Sequence, residues 1–316
     1  SKHHKIYNKK SNMSSNDHSN SAKAILYAFI ANLGLAITKL GAAFYTGSGT
    51  LLAEAIHSFA DCSNQILLFI GLKQSDKPAD DDHPLGYGKV IYFWSFIVAI
   101  LLFSMGGLYS IYEGWHKLQQ PGELSHIWIA LLVLAFGIIL ESSALFGALR
   151  VIKNIRKEKT LLQWLKNTRS AELVVILAED SAAILGLFVA FIFVSIAAIT
   201  GNPVYDALGS ISIGIILIII SVICGMRIKE LIIGVSAEPD LKKLIDSIIK
   251  KDDSIEKLLK TITMQFGPDI MLAAKLKMKA GLSVEETVKQ INELEDEIQK
   301  QVPAVKWCFI EPDIKI

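Results

Sequence analysis

One apolar stretch of the chain carries three ionisable side chains at helical spacing. The segment LLAEAIHSFADCSNQILLF, residues 51–69, is apolar enough to lie in a membrane, yet it contains Glu54, His57 and Asp61. Positions three and four apart share one face of a helix, so these side chains are expected to line a single stripe. Ionisable groups inside a bilayer are costly and usually functional. The stretch therefore predicts a functional site within a membrane-spanning helix.

The pairing of His57 with Asp61 indicates a particular chemistry. One helical turn separates the two residues, and an imidazole with a carboxylate is a ligand set suited to zinc. A His–Asp hydrogen bond between helices, with no metal, is the alternative. A tetrahedral metal site would need further ligands from another helix.

Other acidic residues in apolar segments are candidates for those ligands. LVVILAEDSAAILG contains Glu179 and Asp180, but neighbours on a helix diverge by about 100°, so only one faces a site squarely. Glu141 in GIILESSALFG is a further candidate. We expect Lys39 to form a structural ion pair in the bundle instead, with Glu54 or Glu141.

A second polar cluster lies in DKPADDDHPLGYGK, residues 76–89. Asp80, Asp81, Asp82 and His83 place several cation ligands close together beside a predicted span. The cluster is able to bind a cation, to concentrate cations at an entrance, or simply to be solvated. The residue pattern leaves these three interpretations open.

Composition places the chain in a membrane. Its 316 residues are 52% hydrophobic with a mean hydropathy of +0.42, which is more apolar than an ordinary soluble protein. The net charge of +1 provides no basic field for a nucleic acid. The three cysteines are far apart in the chain and predict neither a disulfide framework nor a zinc ribbon.

The apolar segments predict a bundle of six transmembrane helices. A membrane helix needs about 20 mostly apolar residues, and six segments meet that length: 22–45, 50–72, 90–113, 126–149, 172–200 and 206–229. The turn signals TGSG (46–49) and TGNP (200–203) separate the first two segments and the last two. Lys and Arg collect in the connections 73–89 and 150–169, whereas 46–49 and 200–205 contain none. By the positive-inside rule both termini are therefore expected in the cytoplasm. The lack of an Arg-rich presequence favours a bacterial inner (cell) membrane over an organelle inner membrane.

The two ends of the chain differ from the apolar region. Residues 1–21 are polar and predict a disordered tail. After residue 237 an amphipathic helix, two β-rich segments, a helix with a Ser283–Glu286 capping box and a final strand follow. The expected fold is thus an α-helical membrane protein, with a six-helix domain over 22–236. A small cytoplasmic α+β domain of order αββαβ follows over 237–316.

Taken together, these motifs resemble the cation diffusion facilitator family over about residues 22–316. AEAIHSFADCSNQ, DHPLGYG, ILAEDSAAILG and TGNPVYDALGS are similar to the ninth zinc-transporter subfamily and its bacterial relatives. The resemblance implies a homodimer that exports divalent metal from the cytosol in exchange for protons, by alternating access. It also implies a transporter rather than an enzyme, with the metal as cargo and no resident cofactor.

The resemblance also implies roles for single residues. His57 and Asp61 match the family's transport-site pair, and Asp180 matches the aspartate on the fifth span. The usual fourth ligand, one turn before Asp180, falls on Ile176, where this sequence departs from the pattern. The fourth donor is left open among Glu179, Glu141, Asn64 and water.

The loop and the C-terminal domain depart from the family pattern as well. Asp80 and His83 match two ligands of the family's loop site, but the third position is Tyr87, so this site is expected to be weak or absent. The chain has no histidine after His126, so its C-terminal domain is expected to dimerise without a His-rich metal cluster.

Several functions remain as alternatives. Zinc is the leading ion because of the imidazole, while manganese, iron and cobalt are the alternatives that a more acidic site would favour. A membrane metalloenzyme is disfavoured because no HExxH motif occurs. A metal-responsive scaffold that does not transport is the remaining reading, since the fourth ligand is missing.

Overall fold

The described chain as far as residue 233 consists of helices and the loops that connect them. The structure is a computed structural model that describes residues 29–30, 32–120, 126–156 and 158–314. Its helices are α1 (32–46), α2 (Gly49–Ser75), α3 (Val90–Gln119), α4 (Ile127–Arg156), α5 (Leu161–Asn167), α6 (Ala171–Thr200) and α7 (Val204–Ile233). The predicted tail 1–21 lies outside the described residues.

Four of these helices are long and apolar enough to cross a membrane. They are α3, α4, α6 and α7, each of 30 residues, or about 45 Å at the rise of an α-helix. Four of the six predicted spans are therefore confirmed by length and composition. α2 has 27 residues but is outside this set, because its polar side chains reduce its hydropathy. The predicted span 22–45 lies partly outside the described residues.

Two predicted turns separate helices where glycine adopts a left-handed backbone. Gly47, between α1 and α2, has φ of 72°, and Gly201, between α6 and α7, has φ of 69°. Residues with a Cβ rarely adopt this conformation, so these glycines end their helices readily. The sequence signals TGSG and TGNP thus mark the helix ends correctly.

α3 contains a π-helical segment and packs closely on α7. The segment spans Leu102–Leu108, and π-helical turns are frequent at functional sites. A Cβ on Gly107 would lie 2.5 Å from the Cγ1 of Ile218, and one on Gly214 would lie 2.6 Å from the carbonyl oxygen of Gly107. Small residues therefore let the two backbones approach, as they do between membrane helices.

The C-terminal elements follow the predicted order αββαβ. They are α8 (Pro239–Lys251), β1 (Ile255–Phe266), β2 (Asp269–Met278), α9 (Val284–Gln301) and β3 (Val305–Pro312). β1 pairs antiparallel with β2, and β2 pairs parallel with β3, so β2 is the central strand. The predicted capping box of Ser283 and Glu286 begins α9.

The core of this domain lies between its two helices and one face of the sheet. Alternate residues of β2 are buried, from Ile270 to Leu276, as expected for a strand with one covered face. They pack with the apolar stripes of α8 and α9, represented by Ile249 and Ile298. This burial is the main term that stabilises the domain.

Two compact units divide the described chain. The first contains the described residues up to Ile70, Ile97–Arg150 and Ile176–Cys224, and the second contains Gly71–Phe96, Val151–Val175 and Gly225–Ile316. His57, Gly106 and Asp180 all belong to the first unit. The predicted domain limits, 22–236 and 237–316, stay a prediction.

Candidate metal site

The polar stripe of α2 is buried as the sequence predicts. Glu54, His57 and Asn64 are fully buried, and the side chain of Asp61 is 13% exposed. The Nε2 of His57 lies 3.7 Å from the Oδ2 of Asp61, which is too long for a hydrogen bond. The alternative of a His–Asp hydrogen bond is therefore not realised for this pair.

Both ring nitrogens of His57 lack a hydrogen-bond partner among the described residues. A Cβ added to Gly106, in the π-helical segment of α3, would lie 3.8 Å from Nδ1, so that nitrogen faces α3 while Nε2 faces Asp61. A buried polar atom without a partner is rare and calls for a function. An imidazole with a free nitrogen beside a carboxylate is suited to binding a metal ion.

Other polar atoms along α2 are also buried without a hydrogen-bond partner among the described residues. Buried oxygens with no hydrogen-bond partner in the described part of the chain are Glu54 Oε1, Asp61 Oδ1, Asn64 Oδ1 and Gln65 Oε1. Each would cost free energy in an apolar environment if nothing bound it. Together they form a row of potential oxygen ligands over three turns of one helix.

Helix α6 faces this row in the antiparallel direction. The Nδ2 of Asn64 donates a short hydrogen bond to the Oε1 of Glu179. Toward the other end of the contact, Gly186 lies against the Oε1 of Glu54, which a Cβ on that glycine would meet. Asp61 on α2 and Asp180 on α6 both fall between these two contacts. Helix α6, which carries Asp180, therefore lies opposite the polar stripe of α2.

The acidic candidates for the fourth ligand differ in their surroundings. Glu179 is 7% exposed and is held by Asn64, whereas Glu141 on α4 is only partly buried. The charge of Glu141 acts on both Asp61 and Asp180. Ile176, at the family's usual ligand position, is 36% exposed.

The described side chains do not form a complete set of metal ligands in this structure. Over the described residues, no group of three or more His, Cys, Asp or Glu side chains meets the criteria for holding a metal ion. His57 and Asp61 lie near each other on α2, while Asp180 and Glu179 lie on the facing helix. The structure brings these elements together without bringing all the ligands to coordination distance.

The buried lysine of α1 forms the predicted ion pair. The Nζ of Lys39 lies 3.3 Å from the Oε2 of Glu54 and donates to the Oγ of Ser58 at 2.9 Å. Of the two predicted partners, Glu54 makes this contact. The pair lies one turn from His57 on α2.

Asp206 makes a structural contact with the start of α2 that sequence reasoning missed. It lies in the first turn of α7 and accepts hydrogen bonds from the backbone amides of Gly49 and Thr50 and from the Ser48 hydroxyl. An aspartate in the first turn ordinarily stabilises its own helix, so the TGNPVYD pattern gave no sign that it caps α2.

The loop 76–89 brings Asp80, His83 and Tyr87 together. The Tyr87 hydroxyl donates to the Oδ2 of Asp80 at 2.7 Å, and the His83 amide donates to its Oδ1 at 2.7 Å. The hydrogen bond from Tyr87 lowers the pKa of Asp80, which stays ionised at more acidic pH than an isolated aspartate. The Nδ1 of His83 lies 3.4 Å from Asp80. The two side chains that the resemblance assigns to a loop site are therefore adjacent, and Tyr87 forms a hydrogen bond with one of them.

Comparisons with known proteins agree with these features. A family model described as the cation efflux transmembrane domain matches residues 25–224. The chain is 33% identical to the mitochondrial proton-coupled zinc antiporter SLC30A9 of Xenopus laevis over 74% of this chain and 42% of that one. It is 27% identical to the manganese efflux system protein MneP of Bacillus subtilis (strain 168), over 92% of this chain and 95% of that one.

A plant relative is also matched over only part of its length. Metal tolerance protein C4 of Arabidopsis thaliana is 28% identical over 78% of this chain and 55% of its own length. The chain thus spans about half the length of these eukaryotic relatives. The matched family model covers most of the described helices, including α2 and α6. The chain is an integral membrane protein that belongs to the cation diffusion facilitator family.

Proposed function

We propose that this chain exports a divalent metal cation from the cytosol in exchange for protons, with zinc as the leading ion. The observation that carries the proposal is the state of His57. Its imidazole is fully buried, has two nitrogens without partners in the described chain, and lies 3.7 Å from a carboxylate. Buried nitrogens without partners cost free energy, and a bound metal ion would supply the missing partner to one of them.

The ligand types support zinc over harder cations. Neutral imidazole with carboxylates is a common zinc set, whereas magnesium and calcium prefer oxygen alone. One relative is named for zinc and another for manganese. Manganese, iron and cobalt are accordingly the alternative cargo, favoured by the three acidic side chains Asp61, Asp180 and Glu179.

Competition between metal and protons provides the coupling. Each proposed ligand binds metal only when it has lost its proton, so metal and protons exclude each other at the same lone pairs. In the state open to the cytosol, His57, Asp61 and Asp180 bind the cation. In the state open to the other side, protons take these lone pairs and release the metal.

Glu179 is the fourth ligand that the contacts support best. Asn64 binds one of its oxygens, which leaves the other oxygen for a metal, and ligating carboxylates are commonly oriented by such a second hydrogen bond. Glu179 lies three residues after Ile176 and so about one turn along the same side of α6, where it would replace the donor lost at Ile176. Glu141 is the alternative, since its charge reaches Asp61 and Asp180.

The proposal includes the organisation expected from the sequence. We infer six membrane spans over residues 22–236, both termini in the cytoplasm, and a C-terminal domain over 237–316. Assembly as a homodimer and residence in a bacterial cell membrane complete the proposal. The organelle inner membrane is the alternative location, supported by the mitochondrial relative.

Flux measurements on purified protein in liposomes test the function. Wild-type protein is expected to move zinc and, in the opposite direction, protons. Asp61→Ala and Asp180→Ala are each expected to abolish both movements, while Glu285→Ala, on the exposed first turn of α9, leaves them unchanged. Undiminished flux in both site variants contradicts the site. Absence of ion-dependent proton movement in the wild type favours the non-transporting scaffold.

A further inference from the structure

A complete ion pair is buried one helical turn from the proposed transport site. Lys39 and Glu54 are both fully buried, with Nζ and Oε2 3.3 Å apart, and Ser58 accepts a second hydrogen bond from the ammonium at 2.9 Å. Removing a charge from water is costly, and deleting one partner of a buried pair leaves the other charge without compensation. A fixed lysine inside a helix bundle that handles cations therefore needs a reason beyond packing.

Glycines of two neighbouring helices lie against the two side chains of this pair. A Cβ on Gly137 of α4 would lie 3.5 Å from the Cε of Lys39, and Gly186 of α6 lies against the Oε1 of Glu54. That oxygen has no hydrogen-bond partner among the described residues. Glu54 therefore contacts Lys39 through Oε2 and places Oε1 against Gly186 of α6, which has no side chain at that position.

The pair also acts on the proposed metal ligands. The charge of Lys39 reaches His57 and Asp61, and the charge of Glu54 reaches His57. Glu141 is the other charged group that acts on Glu54 and His57. Charges interact more strongly in a low-dielectric interior than in water, so the pair is able to influence a cation bound at His57.

We propose that the Lys39–Glu54 pair sets the affinity of the transport site for its divalent cation. Lys39 holds Glu54 away from the cation, so that Glu54 does not become an additional ligand that would bind it too tightly for release. Glu54 in turn neutralises the lysine, whose uncompensated charge would repel the cation. This inference rests on the proposed transport function and deepens it. It explains how a site rich in carboxylates is able to release the bound cation.

The two halves of the pair are therefore expected to act with opposite sign. Lys39→Met keeps the length of the side chain and removes its charge, which leaves Glu54 as a free carboxylate beside His57. Glu54→Gln keeps the shape of the carboxylate and leaves Lys39 as an uncompensated cation. The double variant has no charge at either position, so its net charge of zero equals that of the intact pair. A pair that serves only to hold α1 on α2 would give both single variants the same, destabilising effect and no opposite change in affinity.

Zinc affinity of the purified full-length protein, measured by competition with a zinc-binding dye, tests the proposal. We expect Lys39→Met to bind zinc about tenfold more tightly and Glu54→Gln about tenfold more weakly, a change of about 1.4 kcal/mol each. The double variant should return to within about threefold of the wild type. In liposomes, Lys39→Met should lower both KM and kcat, because release becomes slow, whereas Glu54→Gln should raise KM.

Controls separate this proposal from loss of folding and from failure of the proposed function. Elution volume and thermal stability report folding, and Glu172→Gln, which removes a carboxylate at the start of α6, should leave affinity unchanged.

If Lys39→Met does not fold, the double variant must still bind zinc more tightly than Glu54→Gln. Equal affinities for those two proteins, or shifts of the same sign in both single variants, overturn the proposal. Zinc binding that survives Asp61→Ala contradicts the transport site itself, whereas binding lost in Asp61→Ala without opposite shifts in the pair contradicts only the role of the pair.

Discussion

The backbone amide of Gly49 donates a 2.6 Å hydrogen bond to the Oδ2 of Asp206, so a residue of α7 caps the first turn of α2. The Thr50 amide donates to the other carboxylate oxygen at 3.3 Å, and the Thr50 hydroxyl donates to the Asp206 carbonyl. Asp206 is only 1% exposed. The helix that carries Glu54, His57 and Asp61 is thereby fixed at one end to α7.

Loss of this cap should weaken the helix bundle. Asp206→Ala leaves two buried amides unpaired and is expected to lower the free energy of unfolding by about 1–3 kcal/mol. Asp206→Asn, which keeps one acceptor oxygen, should cost less. Thermal unfolding in detergent measures both, with the exposed Glu285→Ala as the matched control. Equal stability of Asp206→Ala and wild type would show that the cap contributes nothing.

The fourth ligand can be identified by comparing two neutral substitutions. Glu179→Gln should weaken zinc binding by tenfold or more, about the loss of one charged ligand, whereas Glu141→Gln should change it by less than about threefold. Asn64→Ala should give an intermediate loss, because Glu179 remains but is no longer oriented. Dye competition on the three proteins gives the ranking. The opposite order for the two glutamates would assign the ligand to α4.

The imidazole of His57 should determine both ion preference and pH dependence. Zinc binding requires the neutral ring, so affinity should fall as pH decreases through the range in which a histidine takes up a proton. His57→Asp replaces nitrogen by oxygen and should shift preference from zinc toward manganese by about tenfold. It should also remove the part of the pH dependence that comes from protonation of the imidazole. Titrations with both metals at several pH values measure these changes, and an unaltered preference would exclude His57 as a ligand.

The loop cluster should gain a metal when its third position is changed. Tyr87→His replaces the hydroxyl that binds Asp80 with a ring nitrogen, which adds a third ligand to Asp80 and His83. We expect one additional zinc per chain after dialysis, measured by elemental analysis. Tyr87→Phe removes the hydrogen bond without adding a ligand and is the control. If both variants retain the same zinc content as the wild type, the loop geometry does not support a site.

Unlike the loop cluster, the carboxylates at the end of the C-terminal domain are paired with a lysine. Glu311 lies 3.2 Å and Asp313 lies 2.9 Å from the Nζ of Lys275, so a lysine on the neighbouring strand already binds them. These hydrogen bonds raise the pKa of Lys275, which keeps its charge to higher pH. A metal at this position would have to displace a cation that the sheet itself supplies.

Local patterns were sufficient for much of this molecule. Helical spacing placed Glu54, His57 and Asp61 on one buried stripe, and turn signals at Gly47 and Gly201 marked helix ends, because these properties depend on neighbours along the chain. The capping box at Ser283 and the order αββαβ followed for the same reason. Family motifs added Asp180 as the facing carboxylate.

Contacts between distant residues required the tertiary structure. The sequence allowed Lys39 to pair with Glu54 or Glu141, and only the packing of α1 on α2 selected Glu54. It left the fourth ligand open among Glu179, Glu141, Asn64 and water, and the hydrogen bond from Asn64 to Glu179 supports our proposal of Glu179. Asp206 gave no signal at all, since its partners lie more than 150 residues away. The sequence by itself determined which side chains are polar and which helix face they share, through the fixed geometry of the backbone, whereas the pairing of those side chains depends on how helices pack, which only the folded chain decides.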